Sequence, residues 1–261
     1  MAVSIKSARE IELMREAGKR LAHVHQELEA MIAPGISIWE IDAKGEKLIR
    51  DCGCIPNFLH YNGYPASICV SVNDEVVHGI PRKDRYLKEG DIVSLDAGLI
   101  YKGYHSDAGL IYKGYHSDAA RTHAVGKVST EAQKLMDVTK QSFFEGIKMA
   151  KEGQHLHDIS RAIEEYVTPY GHGIVRDLVG HGIGTALHED PQIPNYAQKR
   201  RGVRLQAGMT LAIEPMINAG TWQVRFLRDG WTVVTKDGSL SAHYENTILV
   251  TDGEPEILTL Y

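Results

Sequence analysis

The sequence predicts an α/β (α+β) protein in which a pair of helices followed by strands occurs twice. Three observations carry that reading: two helical segments at the start, two more after residue 128, and a strand-rich stretch behind each pair. From about Ser7 to Ile32, Ile11, Met14, Leu21, Val24, Leu28 and Met31 recur on one helical stripe, and Pro34-Gly35 ends the run. Ser37 and Glu40 then have the spacing of a capping box for a second helix that stops near Gly53. Short strands follow from Ile55 to Ile80. A third helix is expected from about Ser129 to Ala150 and a fourth from about His157 to Tyr170, with strands from Gly171 to the end. The segments Gly35–Gly53 and Gly153–Gly171 share their span, an acid–Ile pair (Glu40-Ile41, Asp158-Ile159) and a later Glu (Glu46, Glu164). This is the trace of a duplicated unit. It predicts one domain over residues 1–261, built from similar halves, about 1–126 and 127–261, that face each other across a cleft.

Composition narrows the class. The chain has 261 residues, 43% of them apolar and 24% charged, which suits a globular protein with a sizeable core. A net charge of −5 leaves no basic footprint for nucleic acid or an anionic membrane. No apolar run approaches the roughly 18 residues of a membrane span. The charged helical pattern begins almost at once, so no signal peptide is expected. Cys52, Cys54 and Cys69 are an odd number without CxxC spacing, which argues for free thiols in a reducing cytoplasm.

The stretch from Gly90 to His123 is unusual. The eleven residues Asp96-Ala-Gly-Leu-Ile-Tyr-Lys-Gly-Tyr-His-Ser106 recur letter for letter from Asp107, and Asp118-Ala-Ala-Arg-Thr-His123 follows. Each copy reads as a strand, a Lys-Gly turn and the start of a return strand. An Asp at the end of an Ile/Val/Leu strand needs a partner, and a second Asp from the return strand can share a cation with it.

The second half places polar groups where strands should be apolar: His181 within Val179-Gly-His-Gly-Ile-Gly184, Glu214 within Thr210-Leu-Ala-Ile-Glu-Pro-Met, and Glu245 within Ala242-His-Tyr-Glu-Asn-Thr. Glycines beside the imidazole permit close approach of backbone or ligand. A phosphate-loop reading of that Gly-rich run fails because no helical pattern follows it. Two Asp, His181, Glu214 and Glu245 supply four carboxylates and one imidazole, near the charge of two divalent ions. Such a pair can share a bridging water and polarise a carbonyl. The oxygen-rich set favours Mn, Fe or Co over thiolate-type zinc.

Taken together in this order, Val76-Val-His78-Gly-Ile-Pro, the Asp hairpin, Gly-His181-Gly-Ile-Gly, His188-Glu-Asp-Pro, Ile-Glu214-Pro-Met and Tyr-Glu245-Asn-Thr resemble the motifs of the type I methionine aminopeptidases over essentially the whole chain. The resemblance implies the pita-bread fold, two pseudo-symmetric halves with a central antiparallel sheet covered by helices. It also implies two divalent metal ions (Co, Mn, Fe or Zn) held by His181, Glu214, Glu245 and two Asp. Glu214 would shuttle the proton, and His78 and His188 would hold the substrate amide and stabilise the tetrahedral intermediate. Phe58, Tyr61, Tyr64, Cys69 and Trp231, with Leu187 nearby, would form the methionine pocket, where a thioether meets aromatic edges and a thiol. The implied reaction is removal of the initiator methionine from nascent proteins by attack of a metal-bridging hydroxide on the first peptide bond. The expected setting is a cytoplasmic monomer whose partners are nascent chains and the ribosome.

The family pattern carries one Asp on each strand of a single hairpin, whereas this chain offers Asp96, Asp107 and Asp118. Three pairings are open: 96 with 107, 107 with 118, or 96 with 118. Doubling a hairpin tip costs only about 0.6 kcal/mol, whereas forcing an extra strand into a packed sheet costs several kcal/mol by the usual overpacking penalties, roughly 1–3 kcal/mol per misfit. That favours Asp96 with Asp118, leaving 97–117 as an overlong hairpin and Asp107 near its tip. Two rivals stand beside this reading. One is a proline-directed peptidase of the same fold, which usually carries an additional N-terminal domain. The other is a non-catalytic pita-bread binding module, reached if the duplication breaks the metal site.

Overall fold

The computed structural model describes residues 3–104 and 113–260. In chain order the elements are α1 (Ala8–Glu29), α2 (Ile38–Asp51), β1 (Ile55–Pro56), β2 (Ile68–Val72), β3 (Glu75–Val77), β4 (Ile92–Tyr104), β5 (Lys113–Ala124), α3 (Thr130–Ile147) and α4 (Leu156–Val167). The remaining strands are β6 (Gly173–Ile174), β7 (Gly180–Gly182), β8 (Glu189–Ile193), β9 (Thr210–Ile213), β10 (Met216–Asn218), β11 (Val224–Phe226), β12 (Val233–Thr235), β13 (Ser241–His243), β14 (Glu245–Leu249) and β15 (Glu256–Ile257). Nine strands form the main antiparallel sheet in the order β1-β4-β5-β14-β9-β7-β8, with β2 also on β4 and β15 on β14. Two three-stranded sheets, β13-β10-β6 and β11-β12-β3, adjoin it.

The helix starts follow from local chemistry. The Ser7 and Ser37 main-chain N–H groups donate to the Glu10 and Glu40 carboxylates at 2.8 and 2.9 Å, closing the capping box expected at Ser37 and a second one at Ser7. Asp158 stands where Glu40 stands in the first half, accepting from the His155 N–H at 3.0 Å, so α4 begins at Leu156. The α4 helix ends at Val167, and the expected extension to Tyr170 is a separate 3-10 turn containing Pro169. On α1, Met14, Leu21, Val24 and Leu28 are buried as the stripe requires, while Ile11 and Met31 at its ends are only half-buried.

Each helix pair covers its own core. Leu21, Val24 and Leu28 of α1 and Ile41 and Ile49 of α2 pack with Val70, Val93, Leu95, Leu99 and Ala119. Leu135, Phe143, Ile159 and Ile163 of α3 and α4 pack with Leu211, Ile213, Ile217 and Ile248. Because side chains alternate along a strand, burying Leu95, Ala97 and Ala119 against α1 sends Asp96 and Asp118 to the other face. By the same parity, burying Leu211 and Ile213 turns Glu214 away from the helices, and burying Ile248 turns Glu245 away.

Among the described residues, the duplicated stretch extends β4 and β5 and adds no further strand between them. Asp96 lies opposite Ala120, Gly98 opposite Asp118 and Tyr101 opposite Tyr115, and the register shifts between Tyr101 and Tyr104. The Lys-Gly pairs are therefore not turns, contrary to their local chemistry. Lys102 and Gly103 lie within β4, with Lys102 at a φ of 52° beside the register shift, and Lys113 opens β5. Long-range pairing with β2, β5 and β14 overrides the local preference. Asp107 lies outside the described residues.

A buried imidazole ties α1 to the back of this hairpin. His25 is fully enclosed, its Nε2–H donates to the Ala119 carbonyl at 2.8 Å, and the other ring nitrogen has no hydrogen-bond partner. Burial, reinforced by Arg121 and His123, holds its pKa well below the usual histidine range. The unfolded chain binds a proton at His25 below about pH 6.5, and the folded chain does not. Stability is therefore lost as pH falls below that value, at up to about 1.4 kcal/mol per pH unit. Urea unfolding at pH 7 and pH 5 should show a pH slope for native protein that exceeds that of a His25→Leu variant by one proton's worth. Equal slopes would refute the assignment.

Candidate active site

Cys69, Asp96, Ala120 and Glu245 stand side by side across β2, β4, β5 and β14. The small side chain of Ala120 leaves room between two carboxylates on neighbouring strands. Asp118 is two pairs further along, opposite Gly98, where an added Cβ would lie 2.6 Å from the Asn57 amide and 3.0 Å from Asp118 Oδ1. His181 enters from β7, opposite Ala212. The glycines around it serve the sheet: a Cβ on Gly180 would sit 2.4 Å from the Ala212 carbonyl oxygen, and one on Gly182 would sit 2.2 Å from that of Asp190. Glu214 sits at the joint where the chain leaves β9 for β10.

These side chains converge on a cavity of about 270 Å³ that is lined by Asp96, Asp118, His181, Glu214 and Glu245, by His78 and His188, and by Phe58, Tyr61, Tyr64, Cys69, Leu187 and Trp231. Every site residue expected from the sequence that is among the described residues lies there, and Asp107 is outside the described residues. Asn62, which sequence reasoning passed over, also lines the mouth; its only signal was the Tyr-Asn-Gly turn, and its φ is 49°.

The electrostatics call for a cation. Burial is the main influence on all four carboxyl groups. It pushes Asp96 up to about 7, with Asp118 hydrogen-bonded to it, and raises Asp118, Glu214 and Glu245 well above the usual carboxylate range, each further raised by a neighbouring acid. Asp96 Oδ1, Asp118 Oδ1 and Glu245 Oε1 are buried without hydrogen-bond partners. Among the described residues, Asp118, His181 and Glu245 offer ligand atoms that all lie within 4.8 Å of one another. His181 donates Nδ1–H to its neighbour Gly182's carbonyl at 2.8 Å, leaving the Nε2 lone pair toward the cleft, 3.6 Å from Glu214 Oε1. Burial depresses its pKa to about 3, which keeps the ring neutral. Neutral imidazole and clustered, unpartnered carboxylate oxygens suit a divalent cation.

The other two histidines flank this cluster. His78 adopts a left-handed backbone at φ 58°, a strained conformation for a residue with a Cβ. Burial, aided by His188, lowers its pKa to about 4. The following Gly79 accepts no side chain, since a Cβ there would meet the Val70 carbonyl oxygen at 2.3 Å. His188 stands at the rim, its Nδ1 2.9 Å from the Tyr61 hydroxyl and its ring centroid 4.3 Å from that of His181. The next residue, Glu189, is held by Lys6 at 2.6 Å and accepts the Ala186 N–H at 3.2 Å, so the N-terminal segment steadies the loop that carries Leu187 and His188.

The far wall is apolar and soft. Trp231 meets Tyr64 edge-on at 5.2 Å, and the Tyr64 hydroxyl donates to the Gly79 carbonyl at 2.9 Å. Burial holds the Cys69 thiol protonated. The three cysteines are free thiols, and no described helix is long and apolar enough to cross a membrane.

An antiparallel sheet backed by two helix pairs, with carboxylates and one imidazole gathered on its open face, defines a pita-bread metalloprotein. The model of metallopeptidase family M24 matches residues 12–110 and 106–252, and the chain belongs to that family. A methionine aminopeptidase of Clostridium acetobutylicum is 51% identical over 258 residues, covering 99% of both chains. The crystal structure of the methionine aminopeptidase from Thermotoga maritima superposes with a TM-score of 0.93 at 45% identity, covering 100% of each chain. The Xaa-Pro dipeptidase from Bacillus anthracis shares the fold at a TM-score of 0.74 and 25% identity, and this chain spans 61% of it.

Proposed function

We propose that this protein is a metal-dependent methionine aminopeptidase that removes the N-terminal methionine from new polypeptides. The observation that carries the reading is the single cavity in which five candidate ligands face an aromatic and thiol wall sized for one side chain. Asp96, Asp118, His181, Glu214 and Glu245 would hold two divalent ions, with Mn, Fe or Co suited to the donor set. Such ions, when bound, polarise a carbonyl and lower the pKa of a water molecule.

The chain's own groups do the rest. Phe58, Tyr64, Cys69 and Trp231 take the methionine side chain, the sulfur lying against aromatic edges. Glu214, the carboxylate facing both His181 and the cavity, accepts a proton and passes it to the departing amine. His78 and His188 donate hydrogen bonds to the substrate amide and to the oxygen on which negative charge develops. One catalytic domain spans the chain, with a half on each side of the cleft. We place it in the cytoplasm as a monomer acting on nascent chains at the ribosome.

Release of methionine from a Met-Ala-Ser peptide tests this. Activity should vanish on chelation and return with Mn or Co, both in the native chain and in a variant lacking residues 97–107, whose remaining copy restores the same Asp-to-Gly register. A saturating cation should also raise the melting temperature, since ligand at a hundred times Kd adds about 2.7 kcal/mol. Silence in both folded proteins after metal is restored would overturn the reading and favour a binding module.

A further inference from the structure

The residue left unexplained by the site is His243. Its ring is 2% exposed, and neither nitrogen has a hydrogen-bond partner. An imidazole buried in this way carries the cost of its unmade hydrogen bonds, so its retention calls for a reason. The ring is not loosely placed. The His243 N–H donates to Thr122 Oγ1 at 2.9 Å, the Thr122 hydroxyl donates back to the His243 carbonyl at 2.9 Å, and Met216 is its partner across the strand pair. Both strands that carry glutamates change sheet at this point: the chain passes from β9 through Glu214 to β10, and from β13 through Tyr244 to β14 and Glu245. His243 sits at the crossing. Its Nε2 lies 3.8 Å from Glu214 Oε2 and 3.9 Å from Glu245 Oε2.

We propose that His243 is a positioning residue whose Nε2–H orients the outer oxygens of Glu214 and Glu245 toward the metal site. The inference rests on the metal-site reading above and extends it beyond the candidate ligands. One N–H equidistant from two carboxylates on different strands can hold either by a small turn of the side chain. Such outer partners fix the orientation of the ligands, and their loss weakens metal affinity by about 10–100-fold.

The test compares native protein with His243→Gln, which keeps an N–H donor, and with His243→Leu and His243→Phe, which do not. Mn binding is read by calorimetry, the ligand field of the Co-loaded protein by its visible spectrum, and kcat and KM with Met-Ala-Ser. We expect Leu and Phe to weaken Mn binding by about 10–100-fold, to shift the Co spectrum and to lower kcat more than they raise KM. The Gln variant should recover most of the affinity. The melting temperature of each metal-free variant identifies a chain that has failed to fold, and Leu and Phe serve as substitutes for each other. Native-like Mn affinity and Co spectra in a folded Leu or Phe variant would overturn the proposal, as would a Gln variant as defective as Leu. Failure of the native protein itself to bind Mn would instead overturn the metal-site reading.

Discussion

Asp118→Asn is expected to abolish metal-restored release of methionine, by about a thousandfold or more, while Asp107→Asn leaves it within about threefold. Asp96→Asn should match Asp118→Asn. The reason is register. β2, β5 and β14 hold Asp96 and Asp118 on the cleft face, two residue pairs apart, beside Glu245. Asp96 and Asp118 are hydrogen-bonded to each other, and burial raises the pKa of both. A cation draws both protons off, and an amide in either place removes a negative charge and an anionic ligand together. The measurement is methionine release at saturating Mn, with calorimetric Mn binding alongside. An Asp107→Asn variant as impaired as Asp118→Asn would refute the register. The melting temperature of each metal-free variant should equal or exceed that of the native protein, because one acid of a crowded buried cluster has been neutralised.

Glu214→Gln should lower kcat by about 10²–10⁴-fold with a much smaller change in KM. Glu214 faces His181 at 3.6 Å and His243 at 3.8 Å, and burial and Asp96 push its pKa well above the ordinary range. A carboxylate so placed can both take and return a proton, and Gln can do neither. Substrate contacts through the aromatic wall and His78 are untouched, so binding should survive. Equal losses in kcat/KM arising wholly from KM would show that Glu214 acts only in binding. Mn binding must be measured in the same variant, so that loss of the metal is separated from loss of the proton carrier.

How much was legible in the chain depends on how local the physics is. The helix start at Ser37 was readable because the cap and its acid, Glu40, lie within one turn. The cleft residues were readable as misfits, carboxylates in runs that otherwise bury Ile, Leu and Val. The Lys-Gly pairs misled for the opposite reason: their turn chemistry is local, and the sheet that overrides it is not. Asn62 and His243 gave almost no signal, since one looked like a turn residue and the other like a neighbour of the glutamate two positions on.

The sequence by itself determined the class, the helix pairs, the types of metal-binding group and their order along the chain, because each depends on neighbouring residues or on a motif carried intact. It did not determine which aspartates meet. The two copies of the eleven-residue unit are identical, so each Asp has the same local prospects on at least one side. Tertiary structure decided between them. Pairing across four strands aligns Cys69, Asp96, Ala120 and Glu245, and alternation sends the residues between them into the helix-covered core. A slip of one residue would turn every buried side chain to the wrong face. Local preference for a turn could not outweigh that.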